Sequence, residues 1–241
     1  MNILSIDTSS NTLSIAIKSN DEILGELDLN SGLVHSTTLM PAMEYLFKLT
    51  GFDKKDLDLV AVCIGPGSFT GIRIGVATAN AMALGLGIKV VGVSSLKVLA
   101  MNHRYSDAII IPTVDAQRES VYTCIYETND GTLTAACEEK VVKIENLIEY
   151  IKSLDKNVVL SGYLLENLED YKLNNLITVS PEDNFIKASN ICILAEKQYL
   201  EQEKEQQAFA QPKYIQKSQA EEVYEKKFGE QNKEFIKKNL I

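Results

Sequence analysis

The order of strand-like and helix-like segments in this chain is written twice. "ILSIDTSSNTLSIAIKSNDEILGELDL" alternates apolar and polar residues and breaks at "DTSSN" and "SNDE", a pattern of three antiparallel strands. "HSTTLMPAMEYLFKLTG" follows as a helix with Pro41 in its early turns and Gly51 as its stop. "DLDLVAVCIG" is a buried strand. A glycine loop, a Gly/Ala-rich helix and the strand "KVVGV" complete a βββαβαβ unit. The second half repeats it. "AIIIPTVDAQRESVYTCIYETNDGTLTAACEEKVV" predicts three strands broken at "DAQRES" and "TNDG", and the helix "IENLIEYIKSL" and the strand "NVVLSG" come next. A short helix near Leu164 to Asp170, a strand "LITVS" and a long helix beginning near Asn184 complete the repeat. Asp7 closes the first strand of one half as Asp115 does in the other, and the Asn20-Asp21 turn recurs as Asn129-Asp130. Such a duplication decides the fold. It predicts an α/β protein of two similar lobes with mixed sheets, residues 1–103 and 104–218. The last helix of the second lobe is free to pack back on the first, and residues 219–241 form a helical or partly disordered tail.

The chain has 241 residues, enough core for two such lobes. Its net charge is -9. Holding nucleic acid takes clustered Lys and Arg, so contact with RNA is expected only through a basic partner. Cys63, Cys124, Cys137 and Cys192 form no C-x-x-C pair and read as buried, reduced thiols. No basic leader precedes the first strand, and no uninterrupted apolar run reaches the roughly 20 residues that span a bilayer. The expectation is a cytoplasmic protein with no membrane partner.

The glycine loop, Gly65-Pro66-Gly67-Ser68-Phe69-Thr70-Gly71, joins a strand to a helix, where free N–H groups favour an anion. It lacks the Lys-Ser/Thr of a Walker loop. Its G-x-G-x-x-x-G is one residue longer than the dinucleotide fingerprint, and Pro66 breaks G-x-S-x-G. Asp7, Gly65, Gly67, Ser68, Thr70 and Gly71 therefore read as a structural turn, with anion binding as the alternative. A nucleotide-binding version of the Asp7 turn would follow the Asp with glycine; here Thr8-Ser9-Ser10 follow. In the helix behind the loop, Gly75, Ala79, Ala83 and Gly87 recur every fourth residue, a ridge of minimal side chains. Helical glycine costs about 0.5–1 kcal/mol against alanine, so the ridge implies close packing, either on the chain's own lobe or on another subunit. Only two histidines exist, His35 and His103, without a partner at metal-ligand spacing, and no catalytic constellation is complete.

"ILSIDTSSNTLSIAI", "HSTTLMPAMEYLF", "IGPGSFTGIRIGVATANAMALG", "VVGVSSLKVLA", "VDAQRESVYTCIY" and "QPKYI" together resemble the TsaB (YeaZ) family, over Met1 to about Ala220. The resemblance implies the ASKHA fold of actin, Hsp70 and the sugar kinases. It also implies a part in making N6-threonylcarbamoyladenosine at position 37 of tRNAs that read ANN codons. It implies a non-catalytic scaffold and activating subunit bound to its catalytic paralogue TsaD, joined by the ATPase TsaE, with a homodimer in their absence. ATP and metal would be handled by those partners, and tRNA met only in the complex. The catalytic paralogue carries "GVNHLEGH" where this chain reads "GVSSLKVL", so Ser95 and Leu99 stand at the metal-binding histidine positions. On this reading the glycine loop is a vestigial phosphate cradle. The partner interface is expected at Ile72, Gly75, Val76, Ala79, Ala83 and Gly87, with His35 and Leu39 of the helix beside it. A free-standing ASKHA kinase or ATPase is the alternative, and a peptidase the remotest.

Overall fold

The computed structural model describes residues 1–215, apart from 31, 33, 164–167, 169, 170, 178 and 202–208. The tail at 219–241 and most of the helix expected near Leu164 lie outside the described residues. Five strands form the first sheet: β1 (Asn2–Asp7), β2 (Leu13–Ser19), β3 (Glu22–Leu29), β4 (Leu59–Cys63) and β5 (Lys89–Val93), in the order β3-β2-β1-β4-β5. The hairpin strands pair antiparallel, while β1, β4 and β5 run parallel. The second sheet repeats this topology strand for strand. β6 (Ile109–Asp115), β7 (Ser120–Thr123), β10 (Lys140–Lys143), β11 (Val158–Gly162) and β12 (Leu176–Ile177) stand in the order β10-β7-β6-β11-β12. The duplication is thus a property of the fold as well as of the sequence.

Among the described residues the second sheet adds a hairpin that the first lacks. The long second strand expected from "SVYTCIYETN" is broken, and β8 (Tyr126–Asn129) pairs with β9 (Thr132–Ala135) in a hairpin that meets β6 only through Tyr126 and Ile110.

Helices cover both faces of the first sheet. Alternation along β1 sends Leu4 and Ile6 to one face, where α1 (His35–Thr50) and α2 (Phe69–Leu86) bury Leu39, Met43, Leu46, Ile72, Val76, Ala79 and Ala83 against them. Ile3 on the opposite face meets α5 (Ala188–Glu201), whose Ile191, Cys192 and Ala195 are fully buried. Each large apolar side chain removed from water in this way contributes about 1.5–3 kcal/mol. A shorter helix, α3 (Ser95–Met101), bridges the sheets: Val98 and Leu99 join the first core, Leu96 and Ala100 the second. α4 (Ile144–Lys152) covers the outer face of the second sheet through Leu147 and Ile151. Among the described residues α2 alone is long and apolar enough to cross a membrane. It carries Arg73 and Asn80 and packs its inner face on β4.

Candidate functional site

The strands of each sheet end at a turn led by aspartate, and the two turns face one cleft of about 960 Å³. Ser9 to Thr12 supply one wall, Asp115 to Arg118 another, and the glycine loop from Pro66 to Phe69 the rim. Asp115 Oδ1 accepts from the Gln117 amide at 2.8 Å, and Gln117, Arg118 and Glu119 are all left-handed (φ 64°, 52° and 55°). Three such non-glycine residues in succession are sparsely populated and are held by their surroundings.

Asp7 does not open to the cleft. It is fully buried, and its Oδ1 accepts from the Ser9 amide at 3.0 Å and from the Ser9 hydroxyl at 2.6 Å. Its Oδ2 has no hydrogen-bond partner. Burial pushes the carboxyl up to about 6, against the opposing pull of Ser9. Ser95, also buried, donates to Ser9 Oγ at 3.0 Å, so a polar chain runs from the start of α3 to the Asp7 carboxylate.

The glycines of the loop are used in backbone contact. A Cβ on Gly67 would lie 2.3 Å from the Ser9 carbonyl oxygen, and one on Gly71 would lie 2.0 Å from that of Thr8. The two segments are stitched by the Ser68 amide donating to Ser9 O at 2.7 Å and Thr8 Oγ1 donating to Gly71 O at 2.7 Å. Ser68 caps α2 by accepting from the Gly71 amide at 3.2 Å. The structure therefore brings Asp7, Gly67, Ser68 and Gly71 together with the Thr8-Ser9 turn. Gly65 is held nearby by Ser95, whose amide donates to its carbonyl, and Thr70 is exposed on the first turn of α2.

The ridge expected as an interface belongs to the core. Gly75, Ala79 and Ala83 face the first sheet, with Ile72 and Val76 beside them and Leu39 opposite on α1, all buried within the chain itself. A Cβ on Gly75 would sit 2.4 Å from Thr8 Oγ1, which is the steric reason for glycine. Gly87 lies outside the helix as its left-handed cap. His35 is half-buried at the start of α1, and its Nε2 donates to the Ser10 carbonyl at 2.7 Å. His103 sits elsewhere, after α3 and beside Asp183.

A second small-residue row runs along α2 on the side away from the sheet: Ala77, Ala81 and Gly85, every fourth residue, all exposed. Leu84 beside it is 71% exposed, and on α1 Met40, Tyr45 and Leu49 are each more than half exposed, Met40 and Leu49 on opposite flanks of the helix. The same spacing rule finds this row in the sequence; the periodicity does not say which row faces the sheet.

The segment 209–215 crosses α2 and reaches the cleft. Asn80 grips Ala210 in both directions, its side chain donating at 3.0 Å and accepting at 2.9 Å. The Lys213 amide donates to Ile64 O at 2.8 Å, and its ammonium pairs with Glu139 at 2.9 Å. Tyr214 receives a 3.0 Å bond from Arg73, whose guanidinium lies over Phe69.

Known proteins match both the sequence and this architecture. The family model for TsaD, tRNA N6-adenosine threonylcarbamoyltransferase, matches residues 31–224. The tRNA threonylcarbamoyladenosine biosynthesis protein TsaB of Bacillus subtilis is 38% identical over 163 residues, which are 68% of this chain and 71% of that protein. Its namesake in Escherichia coli is 27% identical over 165 residues, 67% of this chain and 71% of that protein. The YeaZ structure from Pseudomonas aeruginosa superposes with a TM-score of 0.72 at 22% identity, over 88% of this chain and 99% of that one. The activator of 2-hydroxyisocaproyl-CoA dehydratase from Clostridium difficile, solved with bound ADPNP, shares the wider fold. Its TM-score is 0.51 at 14% identity, over 87% of this chain and all of that one. Two sheets of one repeated topology, the glycine loop packed on the Asp7 turn and relatives of this similarity establish that the chain belongs to the TsaB (YeaZ) family, on an ASKHA-type fold.

Proposed function

We propose that this protein is the non-catalytic scaffold and activating subunit for threonylcarbamoylation of tRNA adenosine 37, working by docking its catalytic paralogue TsaD. The observation that carries the reading is the use made of Ser95 and Leu99. The resemblance implies that they stand where the paralogue has its metal-binding histidines, and both are buried and engaged: Ser95 in the bond to Ser9, Leu99 in the core under β4 and β5. A hydroxyl and an alkyl group offer a metal far less than two imidazoles do. Asp7, buried and bonded to Ser9, has likewise become part of the lobe's interior. The glycine loop, pressed on the Thr8-Ser9 backbone, serves as a structural turn.

Docking falls to the outward side of α1 and α2. Small residues at Ala77, Ala81 and Gly85 let another helix come close, Leu84 supplies apolar area beside them, and α1 contributes exposed apolar side chains of its own. The same face would pair with itself when the paralogue is absent, giving a two-fold homodimer. TsaE and tRNA join through the assembled complex, since a net charge of -9 offers RNA little attraction.

The alternative, an independent ASKHA kinase or ATPase, draws on the open cleft between two aspartate-led turns. Nucleotide turnover and tRNA modification separate the two. The purified chain alone is expected to turn over no ATP, and adding it to the paralogue with TsaE should restore modification. Turnover by the chain alone would favour the kinase reading.

A further inference from the structure

All four cysteines are free thiols, and two of them face each other. In the hairpin of β8 and β9, Asn129 stands opposite Thr132 and Tyr126 opposite Ala135. The turn between is Asp130-Gly131, both left-handed (φ 48° and 76°), the pattern of a tight two-residue hairpin. The same register continued puts Ile125 opposite Ala136, and the Ala136 amide donates to the Ile125 carbonyl at 2.8 Å. The next pair is Cys124 and Cys137. Antiparallel ladders alternate hydrogen-bonded and non-hydrogen-bonded pairs, and the latter bring Cα atoms to about 4.5 Å. β8 and β9 end at Tyr126 and Ala135, and the Ile125–Ala136 bond carries the pairing one step on; a further step in the same register would make Cys124–Cys137 the closer kind, in the range of roughly 4.4–6.8 Å that a disulfide spans. The Cys124 thiol already points across, donating to the Cys137 carbonyl at 3.1 Å.

The two differ in access. Cys124 is 1% exposed, in the core with Leu96, Ile110 and Tyr126, whereas Cys137 is partly open to solvent. Burial, first, and the neighbouring Cys137 thiol, second, push Cys124 up to about 11, which makes it a poor first nucleophile.

We propose that Cys137 and Cys124 form a thiol–disulfide site, with Cys137 the entry thiol and Cys124 the resolving one, oxidised by a low-molecular-weight disulfide. The Cys137 thiolate attacks one sulfur of the oxidant, and the other sulfur leaves as a thiolate that takes up a proton. Cys124 then loses its proton and attacks the Cys137 sulfur of the mixed disulfide, and the second small thiol departs. Two protein thiols are oxidised by two electrons in all, and one small disulfide is reduced to two thiols. The bond would form two residues before Glu139, which accepts from Ser94 and pairs with Lys213, so it lies in the bend that anchors segment 209–215 to the second sheet.

The test is incubation of the folded chain with excess oxidised glutathione, followed by digestion without reduction and mass spectrometry. The native chain should lose two hydrogens and yield a Cys124–Cys137 linked peptide. Cys124→Ser should keep a stable glutathione adduct on Cys137, and Cys137→Ser should gain none at Cys124. Cys63 and Cys192, buried in the first sheet's core, should stay free and report that the fold is intact. Four results would each overturn the proposal: a lasting adduct on Cys137 in the native chain, no reaction at either thiol, a bond between two copies, or reaction of Cys63 and Cys192 as fast as that of Cys137.

Discussion

The Ser95 hydroxyl donates to the Ser9 hydroxyl at 3.0 Å, and Ser9 in turn donates to the Asp7 carboxylate. This chain joins α3 to the turn after β1 and leaves the second Asp7 oxygen buried without a hydrogen-bond partner. An isolated buried charge is costly, and the network makes the protein's stability depend on pH.

Asp7 is raised from the 3.8 of an ordinary aspartate to about 6. The stability that its protonated form contributes is whole below about pH 4 and lost as pH rises through about 6. Asp7→Asn keeps an acceptor for Ser9 and removes the charge. Relative to the native chain it should gain up to about 3 kcal/mol near pH 8 and almost nothing near pH 4. Urea titration of both chains across that range measures the difference; one that does not vary with pH would mean that Asp7 is not a buried, ionising group.

The glycines of α2 and its loop should rank by what a methyl group meets. Gly71→Ala drives Cβ to 2.0 Å from a carbonyl oxygen of the backbone, and Gly75→Ala to 2.4 Å from the Thr8 hydroxyl, which can move only by giving up its bond to Gly71 O. Overpacking of this kind costs about 1–3 kcal/mol, with Gly71→Ala at or above the top of that range. Gly85, with nothing within 4 Å, should tolerate alanine and gain about 0.5–1 kcal/mol. Thermal unfolding of the three variants checks the order.

Asn80→Ala removes both bonds to Ala210. Their loss should cost about 1–2 kcal/mol and loosen segment 209–215 from α2. Hydrogen exchange at Ala210 and Lys213 should quicken in the variant. Unchanged protection at both amides would mean that Tyr214 and Lys213 hold the segment without Asn80.

The βββαβαβ order of the first half, the Gly51 stop of α1 and the aspartates closing β1 and β6 were legible because each rests on local periodicity or turn chemistry. The break after Thr123 was not, because "SVYTCIYETN" keeps a strand's alternation across a kink that only the packing of Tyr126 against β6 reveals. The orientation of α2 was also beyond periodicity. Two rows of small residues lie on opposite sides of that helix, and choosing between Gly75-Ala79-Ala83 and Ala77-Ala81-Gly85 requires the sheet in place. The Asp7–Ser9–Ser95 chain joins residues whose closeness depends on how α3 sits across the two sheets, which no short-range pattern encodes.

The most direct test sets an inward substitution on α2 against an outward one. Ala79→Arg places a guanidinium in the core and should prevent folding. Leu84→Arg changes a residue already 71% exposed and should fold like the native chain by circular dichroism and thermal unfolding. Binding of folded Leu84→Arg to the catalytic paralogue, measured by calorimetry, should weaken at least about tenfold, or about 1.4 kcal/mol. That loss is expected at unchanged stability; a folded Leu84→Arg chain that binds the paralogue as tightly as the native protein would contradict docking through the outward side of α1 and α2.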